Sequence, residues 1–333
     1  MKKILYIISS LVLAFSLSSC NQNANSDTTT LTLAHSLSQE HSVHIALEAF
    51  AEEVADKTNG RYQVRIFPNG QLGSENESME QIMAGVLSMS RIASPGLATY
   101  ERGYDTFGLP YIFENTEDYY NIMDSDEIRD FFLSSEEKGF VTLTYYDSGS
   151  RSFYTKDRAI KHPDDLKGLK IRVQDMRSQT EMMNYLGGTP VAMSYGDVYT
   201  SLQTGIIDGT ENNETALTIG GHGEIAKVYS KDEHAMIPDA LIISSQIWKN
   251  IDPADQQIIL EAARNSTELH KELWAESIAE ARVIAETEMG VEFVEDIDKE
   301  PFMERTKPLV DEYRAQYPEV DKLLNTIESV RSK

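Results

Sequence analysis

Apolar positions along the chain recur with two different periods. Residues 31–34 form a short apolar run, and Val43, Leu47, Phe50 and Val54 then return at steps of three and four, the spacing that lines one face of a helix. Asn59-Gly60 stops that helix. Residues 62–67 predict a second strand, closed by the turn signal Pro68-Asn69-Gly70. Residues 77–84 read as a helix ending at Gly85, and 86–93 as a third apolar run. The alternation resumes after residue 140, where 141–146 and 169–173 predict strands and 176–186 a helix stopped by Gly187-Gly188. Strands alternating with helices imply βαβ units and parallel sheets. Two such series place the chain in the α/β class, with two lobes.

The last third differs. After Pro253, residues 254–289 contain neither Gly nor Pro and are rich in Ala, Glu, Gln and Leu up to Gly290. As one helix they would span about 54 Å at 1.5 Å per residue, longer than a small domain is wide and long enough to run beside both lobes. A pair of helices meeting at Arg264-Asn265-Ser266 is the alternative.

The N-terminus follows another logic. Lys2 and Lys3 precede an apolar stretch of about a dozen residues, short of the ~20 a spanning helix needs, and this reads as a secretory signal. The stretch ends in Leu17-Ser18-Ser19-Cys20, which resembles the lipobox of bacterial lipoproteins. That resemblance implies cleavage after residue 19, lipidation of Cys20, and a polar tether over residues 20–29. Cys20 is the single cysteine among 333 residues, so an intramolecular disulfide and a Cys-rich zinc site are excluded. Thirty basic residues against 54 acidic give −24, or −26 once the two lysines of residues 1–19 are removed. So acidic a surface repels phosphate backbones, and no nucleic-acid partner is expected.

Catalytic motifs are missing. Gly-x-Ser-x-Gly, a P-loop and His-Glu-x-x-His do not occur. His41 and His44, beside Glu40, have ligand-like spacing but no third ligand, and a solvated helix start is expected. Gly220-Gly221-His222-Gly223 reads as a flexible turn. No metal or cofactor is expected, and nothing points to an enzyme.

Two arginines stand out. Arg172 lies on a short apolar strand, where a charge is ordinarily excluded unless it has a task. Arg151 follows a strand, at the loop position where open α/β sheets bind ligands. A guanidinium there matches a carboxylate in bidentate fashion, although salt bridges to the abundant acids are the commonest use of any one arginine.

The segments around these arginines are more specific. Asp165-Leu-Lys-Gly-Leu-Lys-Ile-Arg-Val173, then residues 186–199 from Leu-Gly-Gly-Thr-Pro to Gly196-Asp-Val-Tyr199, then Ile207-Asp-Gly-Thr-Glu-Asn212 resemble the signature of solute-binding subunits of tripartite ATP-independent periplasmic (TRAP) transporters. Phe67-Pro-Asn-Gly-Gln-Leu-Gly73, Leu109-Pro-Tyr-Ile-Phe113 and the long C-terminal helix extend the match over nearly the whole mature chain.

The resemblance implies a two-lobed periplasmic-binding-protein-like fold with hinge strands and a long helix spanning both lobes. Residues 30–148 and 239–277 would form lobe I, and 149–238 and 278–333 lobe II. It implies that Arg172 pairs with a ligand carboxylate, that Asn212 bonds the same end, and that Arg151 is a second contact. Tyr195 would be an aromatic wall and Glu75 would meet the polar tail of the ligand. His35, Ser36 and Asp239 would face the cleft. The commoner pattern has proline where this chain has Asn213, and the block 145–154 resembles the branch that binds sugar acids, notably hexuronates such as glucuronate and galacturonate. Asn212, Asn213, Glu75, Asp239 and Tyr195 supply both donors and acceptors for hydroxyls. A C4-dicarboxylate would need a second cation, for which Arg91 is the candidate, and a secreted α/β enzyme acting on the same sugars is the reading from another class. Implied partners are the integral membrane subunits of the transporter and the membrane itself through a lipid. The protein is expected to be exported, periplasmic or on the cell surface, and monomeric.

Overall fold

The computed structural model describes residues 28–333, so the signal segment, Cys20 and most of the tether lie outside it. Two mixed sheets organise the chain. The first has the order β2-β1-β3-β10-β4, with β1 Thr29–Ala34, β2 Tyr62–Phe67, β3 Met89–Ala93, β4 Phe140–Tyr146 and β10 Asp239–Ser244. The second has the order β11-β9-β5-β8-β6-β7, with β5 Ser150–Thr155, β6 Lys170–Val173, β7 Thr189–Ala192, β8 Gly209–Asn212, β9 Val228–Met236 and β11 Glu292–Val294.

Each sheet is parallel except for one strand. β10 runs antiparallel to β3 and β4, and β5 antiparallel to β8 and β9. These are the two strands that enter a sheet directly from the other lobe, so no crossover helix turns the chain around before they pair. Arg151 therefore sits on a strand, β5, and not on the loop its sequence context predicts. Apolar side chains cover both faces of the first sheet: Ala240 and Ile242 join one core cluster, and Leu241 and Ile243 the other. Burial on two faces is why β10 reads as a continuous apolar run.

The two crossings between lobes lie side by side. Ser148 Oγ donates to Ile237 O at 2.5 Å, and Gly149 N donates to Asp147 Oδ1 at 2.7 Å. Gly149 has φ +65°, and a Cβ there would lie 3.0 Å from the Trp274 ring, so both backbone sign and space call for glycine. Trp274 belongs to the single helix Pro253–Thr287, which settles the choice between one helix and two. Its 35 residues run about 52 Å. Ile259, Ala262 and Ala263 pack into the first lobe and Ala285 into the second.

Helix Glu300–Gln316 packs Phe302, Leu309 and Tyr313 into the second lobe. The final helix, Pro318–Arg331, departs from the expected division. Val320 and Leu324 join the second-lobe core, but Leu323 and Ile327 join the first, and Arg331 Nη2 is 2.7 Å from Asp118 Oδ2. An amphipathic pattern marks such a stripe without saying which lobe covers each half.

Candidate functional site

Between the lobes lies a cleft of about 700 Å³, lined by Ser36, Glu75, Arg91 and Asp239 on one side and Arg151, Arg172, Tyr195, Asn212 and Asn213 on the other. It opens where open α/β sheets bind ligands, near the strands' carboxyl ends. Ser36 follows β1, and Arg172 is the third of four residues in β6.

Arg172 is 3 % exposed. Its Nε and Nη2 donate to Met193 O at 3.1 and 2.8 Å, and among the described residues no carboxylate lies within ion-pair distance. Burial lowers its pKa, the nearby charge of Glu211 works against that, and the charge of Arg151 adds to the lowering. The Met193 carbonyl occupies one edge of the guanidinium. The Nη1/Nη2 end remains free for a planar acceptor.

Arg151 is differently placed. Its Nε and Nη2 fork onto Glu211 at 2.5 and 2.9 Å, and its Nη1 donates to Asn212 Oδ1 at 2.9 Å. Glu211 is 0 % exposed and also lies 3.4 Å from His234 Nε2, while His234 Nδ1 is 2.8 Å from Asp232 Oδ2. Burial opposes ionisation of Glu211, yet the charge of Arg151, its hydrogen bonds and the ion pair with His234 outweigh it and hold the carboxyl at about 2. Burial likewise opposes a charge on His234, but Asp232 and Glu211 push it up to about 9. Counting only the buried groups here, Arg172, Arg151 and His234 against Glu211 and Asp232, this cluster carries a net +1. One anion neutralises it.

The opposite end has reversed polarity. Arg91 Nη1 reaches Glu75 Oε1 at 2.5 Å, and Nη2 pairs with Asp239. Glu75 also accepts from Ser36 Oγ at 3.1 Å and from Ala93 N at 3.0 Å. Burial raises Asp239 to about 6 against the pull of Arg91. One cation faces two acids here.

Several expected contacts are committed elsewhere. Asn213 Nδ2 donates to Ser148 O at 2.8 Å, and its Oδ1 accepts from Thr215 N and Oγ1 at 3.0 and 2.7 Å, so its amide fastens a crossing between lobes. His35 does not line the cleft: its Nε2 meets His44 Nδ1 at 2.9 Å and its Nδ1 accepts from Leu37 N at 3.2 Å. His41 lines it instead, with its ring 5.8 Å from that of Trp274. The expected solvated helix start is wrong, because helix Ser42–Lys57 begins against the long helix and leaves His41 and His44 only 7 % and 4 % exposed. His222 is buried too, 2.8 Å from Tyr154 Oη, where a flexible turn was expected. Tyr195 remains half-buried on the cleft wall. Among the described residues no group of three or more His, Cys, Asp or Glu is placed to hold a metal.

Sequence reasoning missed Glu211, His234 and Asp232. A charge inside a buried strand flagged Arg172 and was present at Glu211 as well. Its partners come from β5 and β9, which no local pattern pairs with β8.

Two sheets exchanging one strand each, short paired crossings and a polarised cleft holding Arg172, which has no ion-paired acid among the described residues, define a hinged solute-binding protein. Residues 33–316 match the model for bacterial extracellular solute-binding proteins, family 7, and the chain belongs to that family, the solute-binding subunits of TRAP transporters. A TRAP periplasmic solute-binding protein from Anaerococcus prevotii, solved with bound D-glucuronate, superposes with TM-score 0.88 at 36 % identity, covering 92 % of this chain and 99 % of the other. One from Xanthobacter autotrophicus with bound β-D-galacturonate gives 0.86 at 33 %, covering 91 % and 99 %. An uncharacterized protein of Salmonella typhimurium, YiiZ, is 40 % identical over 80 % of this chain and 81 % of its own length.

Proposed function

We propose that this protein captures a hexuronate outside the cytoplasm, by its carboxylate, and hands it to the membrane subunits of a TRAP transporter. The observation that carries this reading is Arg172, a buried guanidinium that among the described residues has no acid in ion-pair contact, at the positive end of a polarised cleft. Arg172 grips the carboxylate, with Asn212 beside it and Tyr195 against the sugar ring. Arg151 acts through Asn212, and Glu75, Asp239 and Ser36 receive the hydroxyls at the far end. A C4-dicarboxylate would set its second charge against Glu75 and Asp239, a repulsion that Arg91 only partly offsets. Glu75, Glu211 and Asp239 are each held by an arginine, which favours binding without turnover. Uronate-bound relatives of the same fold support the ligand class.

The lobes divide at residues 148/149 and 238/239 and close as a monomer, with Asn76 Nδ2 and Asp175 Oδ2, 3.0 Å apart across the lips, as one closing contact. Calorimetric titration with D-glucuronate, D-galacturonate and L-malate tests the reading. A uronate should bind tightest, be recovered unchanged, and reduce the radius of gyration in small-angle scattering. Saturation at 100 times the dissociation constant should add about 2.7 kcal/mol of stability. Tighter binding of malate than of either uronate would overturn it.

Cys20 carries the lipid that holds the protein at a membrane. Cys20→Ser should move it from the membrane fraction to the soluble fraction of the native cell. A wild type already soluble there, with residues 1–19 retained, would end the tether reading.

A further inference from the structure

Gln174 is the first residue after β6, two beyond Arg172, and lines the same cleft. Its Oε1 is buried with no hydrogen-bond partner, and among the described residues its side chain makes no hydrogen bond at all. An orphaned acceptor of this kind is costly, and the terminal amide torsion is soft enough to turn it toward a donor in the cleft.

A carboxylate cannot be that donor, and neither can a pyranose ring oxygen. A hydroxyl can. With the ligand carboxylate on Arg172, the carbon bearing it has two ring neighbours, the ring oxygen and the C4 carbon with its hydroxyl. We propose that Gln174 reads the C4 hydroxyl of the bound hexuronate, and so sets the preference between glucuronate and galacturonate, which differ in configuration at that carbon. The inference rests on the uronate reading above. A ligand with no hydroxyl near its carboxylate leaves the acceptor unpaired, so the same amide also discriminates against simple dicarboxylates.

The test titrates wild type, Gln174→Ala and Gln174→Met with D-glucuronate, D-galacturonate and the 4-deoxy analogue of the preferred epimer. Methionine keeps the side-chain length without either hydrogen-bonding atom, and circular dichroism checks that both variants fold. In wild type the 4-deoxy analogue should bind about 10- to 100-fold more weakly than its parent. In both variants parent and analogue should agree within about threefold, and the ratio between epimers should contract by a similar factor. A merely structural role would weaken all three ligands together and leave these ratios intact, which would overturn the proposal while leaving the uronate reading in place. Absence of uronate binding by wild type would remove both.

Discussion

Arg172→Ala is expected to weaken uronate binding on the order of 10²–10³-fold or more, with the fold retained. The guanidinium is buried, one edge is spent on Met193 O, and among the described residues no acid is in ion-pair contact with it, Glu211 acting only from a distance, so ligand carboxylate and arginine each satisfy a charge the other would leave unpaired. Removing one partner of such a pair costs about 3–5 kcal/mol, much of it the penalty on the partner left behind. Arg172→Lys should recover little, because an ammonium keeps the charge but cannot hold the Met193 carbonyl and a planar carboxylate at once. The protein itself loses little, since a buried cation without an acid is a cost to the ligand-free fold. Calorimetric titration with both uronates, beside circular dichroism, measures this. A folded Arg172→Ala protein with near-native affinity would assign the arginine to structure and move the site elsewhere.

Glu211→Gln should have the largest effect on stability. The neutral amide keeps the shape but leaves Arg151 and His234, both buried, without the carboxylate between them. A loss of about 3–5 kcal/mol follows, which in a chain of this size lowers the melting temperature by about 5–8 °C. The same group predicts a pH dependence. His234 is raised from 6.5 to about 9 in the fold, so the native state binds more protons than the unfolded chain between those values. Its contribution is complete below 6.5 and lost as pH rises through 9. Scanning calorimetry from pH 6.5 to 9.5 should show a falling melting temperature for wild type and a flatter profile for His234→Gln. Parallel profiles, or an unaltered midpoint for Glu211→Gln, would mean the network carries no net charge coupling.

How much of this was legible along the chain depends on how local each cause is. Val43, Leu47, Phe50 and Val54 declare a helix because the 3.6-residue period is a property of the segment itself, and all four are buried. The stretch after Pro253, free of Gly and Pro and rich in helix formers, declares helix along its length, but the structure chose one helix over a pair. Arg172 was visible because a lone charge on an apolar strand conflicts with its surroundings whatever those surroundings prove to be.

The fate of Arg151 was not visible. Its neutralisation by Glu211 exists because β5 pairs antiparallel with β8 in a register that sets Ser152 opposite Asn212 and Phe153 opposite Glu211. The register of β5 on β9 shifts beside Arg151 as well, and the extra residues there carry Asp232 and His234 into the network. His35, Asn213 and the start of helix Ser42–Lys57 follow the same rule: a side chain's residue type announces that it needs partners, but sites up to 228 positions apart compete to supply them, as Ser42 and His270 show. By itself the sequence determined the α/β periodicity, the acidic charge and the exposed logic of Arg172. Which polar groups neutralise one another, and which are left for a ligand, was decided only when folding set distant strands side by side, because hydrogen bonds and ion pairs act over a few ångströms of space and take no account of separation along the chain.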